Sequence, residues 1–130
     1  MKDILFLECD DIIEIHSVLI KKYGGHEEMR DKNLLHSAVN QPQQTFAGQF
    51  FYKSIPTMAS IYAYHLAGNQ PFMDGNKRTV FTASNVFLKL NGFSLSASSQ
   101  EVYLLFIDLA NKRKTKDELT DWYLKKSTKS

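Results

Sequence analysis

The sequence predicts a mostly α-helical fold, a compact single-domain bundle with short β segments. Three observations predict it. Apolar residues recur at spacings of three and four in six separate windows. Asp, Ser or Thr stands at the head of several of those windows, where a helix needs a side-chain cap. Only two short stretches, Ile4–Leu7 and Phe93–Leu95, read as strands. A chain of 130 residues suits one domain. At that length folding buries roughly two thirds of the unfolded surface.

Ile4–Leu7 is expected to form a strand. Asp10 or Asp11 then caps the first helix, with Glu14 completing a capping box three residues beyond Asp11. Ile12, Ile15, Leu19 and Ile20 give that helix its apolar face, and Gly24-Gly25 ends it. Asp31 caps a second helix through Leu34, Leu35, Ala38 and Val39, which should stop near Pro42. The stretch QQTFAGQFFYKS, crowded with Phe46, Phe50, Phe51 and Tyr52, reads as a loop or a short hairpin.

Pro56 suits the first turn of a third helix, carried by Met58, Ile61, Tyr62 and Leu66 and closed at Gly68. A fourth runs from about Asn76 to Asn91-Gly92 on Val80, Ala83, Phe87 and Leu90. Phe93–Leu95 should pair with the first strand. Ser98 with Glu101 and Thr115 with Glu118 are capping boxes that open two further helices.

Charge excludes more than it assigns. Sixteen basic side chains face 14 acidic ones, so composition gives no sign of a DNA-binding chain. From Lys112 onward there are seven Lys or Arg against three acids, which reads as a solvated helix face and tail. The single cysteine, Cys9, excludes an internal disulfide and fits a reducing compartment. The N-terminus MKDILFLECDD is too short and too acidic for a signal peptide, and no apolar run approaches the ~18 residues of a membrane span. A cytoplasmic protein without a membrane partner is expected.

The densest run of special residues is GNQPFMDGNKRT, Gly68 to Thr79. A Gly- and Asn-rich turn leading into a helix presents unpaired backbone N–H groups and the positive end of the helix dipole. That is an anion site by construction. Gly75 can adopt positive φ and admit a ligand to the backbone. Asn76 can cap the helix or donate its amide, and Lys77 and Arg78 add cationic donors. Asp74 suits a divalent cation whose shell phosphate oxygens complete. Asp-Gly-Asn is also an ordinary turn, and Asn an ordinary N-cap. No G-x-x-x-x-G-K is present, which excludes a P-loop.

QPFMDGNKRT, followed by VFTASNVFLKLNGFSL, resembles the signature of the Fic/Doc superfamily, His-Pro-Phe-x-Asp/Glu-Gly-Asn-x-Arg on a loop between two helices. IHSVLIKKYGG and RDKNLLHSAVNQPQQTF continue the resemblance in the order of death-on-curing (Doc) toxins, so that it spans about Leu5 to Leu95. The resemblance implies a Fic/Doc-like helical bundle that binds ATP with Mg²⁺. Asp74 would hold the metal, Asn76 and the Gly75 backbone the phosphates, and Arg78 a terminal phosphate, with Phe72 anchoring the loop. Lys77 matches Doc toxins, which phosphorylate a threonine of elongation factor Tu, where AMP-transferring Fic enzymes usually have Gly. The second arginine of the AMP-transferring pattern is here Phe81.

Gln70 stands where that family has its catalytic histidine. A carboxamide accepts a hydrogen bond but cannot act as a general base near neutrality. Loss of a positioned base costs ~10²–10⁴ in rate, so binding without appreciable turnover is expected. His65 is expected half-buried or on a helix surface, and nothing in the sequence marks His16, His26 or His36 as a substitute base. The aromatic stretch from Phe46 to Tyr52 falls where the family has a flap that aligns target peptides. At least two of its four rings are expected to pack under the helices instead. No glutamate is followed by Gly or Asn, as the family's self-inhibitory helix requires, so an inhibitor should be a separate antitoxin chain. AMP transfer and a non-catalytic binding module are the alternative functions.

Overall fold

A computed structural model describes residues 3–130. Six α-helices carry the fold: α1 (Cys9–Tyr23), α2 (Lys32–Asn40), α3 (Ile55–Asn69), α4 (Asn76–Leu90), α5 (Ser99–Ala110) and α6 (Lys116–Lys126). Short strands β1 (Thr45–Phe46), β2 (Gln49–Phe50), β3 (Phe93–Leu95) and β4 (Ser127–Lys129) complete it. The helix α3 is central and touches α2, α4, α5 and α6. Its sequence IPTMASIYAYHLAGN is apolar on nearly every side, as a helix surrounded by neighbours requires. Its own Tyr62 fills the core with Phe87, Ile12, Leu35, Leu119 and Tyr123 from the segments around it.

Several caps sit where the sequence puts them. The Asp31 carboxylate accepts from the N–H groups of Asn33 (2.9 Å) and Leu34 (3.2 Å). Ser98 with Glu101 and Thr115 with Glu118 form reciprocal capping boxes. At α1 the box lies three residues earlier than expected: Glu8 is the N-cap and Asp11 its partner. Asp11 and Glu14 also satisfy the spacing. With the helix beginning at Cys9, however, Asp11 is already in its first turn.

The expected strand at Ile4–Leu7 does not form, and Phe93–Leu95 pairs with the end of the chain. Antiparallel β3 and β4 match Phe93 with Lys129, Ser94 with Thr128 and Leu95 with Ser127. Side chains satisfy the N-terminal backbone in place of a strand. Leu5 exchanges hydrogen bonds with the Asn91 carboxamide (2.9 and 3.0 Å), and Leu7 with the buried Tyr62 hydroxyl (2.9 and 3.1 Å).

The aromatic stretch is a hairpin. Ala47 and Gly48 form its two-residue turn with φ of 52° and 79°, the left-handed pair that matches strand twist. Phe50 and Tyr52 pack against the core, whereas Phe46 and Phe51 stay exposed. At the end of α3 the cap is Gln70, not Gly68; its N–H donates to Leu66 O at 3.0 Å, and its φ of 44° and ψ of 62° turn the chain out of the helix.

Candidate functional site

Residues 70–78 leave α3, cross a short loop and enter α4, bringing every site residue expected from the sequence into one surface. Gln70, Asp74, Gly75, Asn76, Lys77 and Arg78 all line an open depression of about 530 Å³, which Tyr103 of α5 also lines. Gly75 is the N-cap of α4 at φ 75° and has no side chain to occupy the first-turn N–H groups. Those donors and the helix dipole are therefore presented to the depression. A Cβ at Gly75 would lie 3.1 Å from Ile20 Cδ1, so α1 presses directly on the loop.

The side chains divide into two sets. Phe72 is 2% exposed and stacks on His16, with ring centroids 3.7 Å apart and planes 8° from parallel. The Asn76 carboxamide clasps the backbone of Phe72, accepting from its N–H (3.1 Å) and donating to its C=O (2.8 Å). Asn76 thus fixes the loop and opens α4 as its first residue, while Gly75 takes the capping position. Gln70, Lys77 and Arg78 are exposed at the rim, and the Arg78 guanidinium lies 4.4 Å from the centre of the Tyr23 ring.

Asp74 belongs to both sets. Its Oδ2 accepts from the His26 N–H at 3.0 Å and its backbone C=O lies 2.7 Å from His16 Nε2, while Oδ1 accepts no hydrogen bond among the described residues. The carboxylate is thereby oriented with one oxygen in reserve.

Sequence reasoning missed what holds this loop. Arg30 binds three successive carbonyls: its N–H donates to Pro71 (2.7 Å), its Nε to Gln70 (2.9 Å) and its Nη2 to Asn69 (2.6 Å). A cation placed on the last carbonyls of α3 also complements the helix dipole. Met73 donates to Glu28 O at 3.1 Å, and Met29 forms a β-bridge with Phe72. The segment between α1 and α2 therefore backs the loop along its length. The double glycine was the available signal: a Cβ on Gly25, at φ 119°, would sit 3.3 Å from Asp74 Cβ. His16, buried at 2%, carried none, because its partners are 56 and 58 residues away.

His65 is half-buried, and burial, aided by Lys116, pushes its imidazole below the usual histidine range. Phe81, at the position of the absent second arginine, packs edge-on to Phe106 in the core.

A helical domain whose central helices are joined by a loop that ends in an N-cap glycine, with a carboxylate beside the open depression, defines the class: a Fic-type domain. A sequence model described as the Fic/DOC family matches residues 6–88, and the chain belongs to that family. The chain is similar to Toxin Doc of Mycolicibacterium smegmatis (strain ATCC 700084 / mc(2)155), 36% identical over 92 residues, covering 71% of this chain and 68% of that one. It is also similar to Protein kinase doc of Escherichia phage P1, 28% identical over 94 residues, with 70% and 71% covered. Among the described residues no helix is long and apolar enough to cross a membrane.

Proposed function

We propose that the chain is a Doc-type toxin scaffold that binds ATP with Mg²⁺ and transfers a phosphate to a protein hydroxyl, crippled as written by Gln70. The observation that carries this reading is the uncapped start of α4 at Gly75, facing a depression rimmed by Asp74, Lys77 and Arg78. The donor set fits the ligand. Asp74 offers one free carboxylate oxygen, and Mg²⁺ is commonly held by one or two carboxylates plus phosphate oxygens. Bound ATP supplies the phosphoryl group, and Mg²⁺ neutralises charge on its oxygens.

The chain's own residues bind and orient. First-turn N–H groups of α4 cradle phosphate oxygens, and Lys77 and Arg78 hold charge at the rim. Residue 70 faces the acceptor hydroxyl. The Gln70 carboxamide accepts that hydroxyl's hydrogen bond but cannot remove its proton, so positioning survives and turnover falls by ~10²–10⁴. By the resemblance to Doc toxins the inhibitor is a separate antitoxin chain and the acceptor a translation factor, elongation factor Tu; the relatives' names, Toxin Doc and Protein kinase doc, support a toxin and a kinase. Such a protein works in the cytoplasm.

Transfer by the Gln70→His variant, with ATP labelled separately at the α and γ phosphates, tests the reaction. Label arriving from γ is expected. Label arriving only from α would replace phosphotransfer with AMP transfer. Gln70 itself favours one further reading, a binding module without catalysis. Asp74→Ala and Arg78→Ala should then leave partner binding intact, and loss of partner binding together with ATP binding would remove that reading.

A further inference from the structure

Gln70 lines two surfaces. Besides the motif depression it borders a cavity of about 490 Å³ between the end of α3 and the α5–α6 connection. Lys112, Lys114 and Lys116 line this second cavity, and no acidic side chain does. The ion pairs among the described residues are Arg113 with Asp108 and Lys126 with Glu101, so none of the three lining lysines has a carboxylate within ion-pair distance, although Lys114 lies near enough to Glu118 to help Thr115 lower its carboxyl. Lys116 Nζ lies 5.5 Å from the centre of the Tyr52 ring and 5.9 Å from that of Tyr64, which puts the cavity beside the foot of the β1–β2 hairpin.

Three like charges around one cavity favour an anionic occupant. His65 is a half-buried residue of the cavity lining. The basic excess that the sequence assigns to a solvated tail is, for these three lysines, gathered next to residue 70.

We propose that this cavity docks a carboxylate-rich segment of the acceptor protein, bringing the acceptor hydroxyl to residue 70 from the side away from the phosphates. The inference rests on the phosphotransfer reading. A peptide is favoured over a nucleic acid by two features. The only arginine of the α5–α6 connection, Arg113, is paired with Asp108. The adjacent two-stranded hairpin has free edges with which an extended peptide can pair.

Amide chemical shifts of the isotope-labelled chain, titrated with a glutamate-rich octapeptide containing one serine, test it. A uridine oligonucleotide of equal charge and Mg·ATP are titrated separately. The peptide is expected to move Gly68, Asn69, Ala110, Lys112 and Thr115. Combined Lys114→Glu and Lys116→Glu should weaken it by about tenfold, whereas Lys125→Glu with Lys129→Glu should change it by less than about twofold. Shifts centred on Lys125–Lys129, equal weakening by both double variants, or tighter binding of the oligonucleotide at the cavity would overturn the proposal. Mg·ATP is expected to move Asp74–Arg78 instead. Failure of that response alone removes the phosphotransfer reading and leaves the peptide result to be judged on its own.

Discussion

Two short connections between helices are built in opposite ways. The motif loop from Gln70 to Gly75 is tied from behind by Arg30, His16, His26, Glu28 and Asn76, and its Phe72 is buried. The hairpin at Thr45–Phe50 is tied by its own two-residue pairing and by Phe50 against Phe6, and Phe46 at its tip is 78% exposed. Constraint is concentrated at the motif loop, and the hairpin is left freer. A backbone anion cradle works only if its N–H groups are fixed before the ligand arrives. A hairpin that receives a peptide edge needs free backbone groups and tolerates movement.

Phe72→Ala should break this comparison most visibly, since it removes the ring stacked on His16. Stability should fall by about 3–5 kcal/mol in denaturant unfolding, the usual cost of truncating a buried Phe. A change as small as that of a surface substitution would show that the loop is not anchored there.

Arg30→Ala comes next. It leaves the carbonyls of Asn69 and Gln70 without their shared side-chain donor, while the backbone bond from residue 30 to Pro71 persists and water can replace part of what is lost at this exposed site. A loss of about 1–2 kcal/mol is expected, with faster hydrogen exchange at Phe72 and Met73. Unchanged exchange at those amides would remove Arg30 from the account.

On the hairpin side, Phe46→Ala should alter stability by no more than about 0.5 kcal/mol. A larger loss, measured in the same unfolding titration, would mean that the hairpin is more tightly packed than its exposure indicates.

The smallest effect concerns His65, whose folded pKa lies below its ordinary value of 6.5 because of burial and Lys116. The unfolded state then binds the proton more readily, so stability falls as pH drops through 6.5 toward the lower folded value. Melting temperature followed across that window should lose a small part of its acid dependence in His65→Gln. An identical acid dependence in both proteins would contradict the shift.

The sequence was most legible where the physics is local. Asp31, Ser98 with Glu101 and Thr115 with Glu118 cap helices through bonds spanning two or three residues, so their spacing alone locates them. Asp74 to Arg78 could be read together because the unpaired backbone N–H groups of a helix start all point out of the same end. Distance in sequence hid the rest. Leu5 finds Asn91, and β3 finds the polar stretch Ser127–Lys129 at the far end of the chain, where no alternating pattern marks a strand. His16 and Arg30 act on a loop about 40 to 58 residues away, and nothing in their neighbours reveals it. The α1 box was ambiguous, since Glu8–Asp11 and Asp11–Glu14 share one spacing.

The central claim is a fixed anion cradle with its base missing. Its most direct test is a paired measurement on the protein as written and Gln70→His: calorimetric titration with Mg·ATP, and phosphate transfer to elongation factor Tu from γ-labelled ATP. The two proteins should bind Mg·ATP within about 1 kcal/mol of each other, the worth of one neutral hydrogen bond. Transfer by Gln70→His should be faster by ~10²–10⁴. Comparable transfer by both proteins would place the base at another residue and contradict the account.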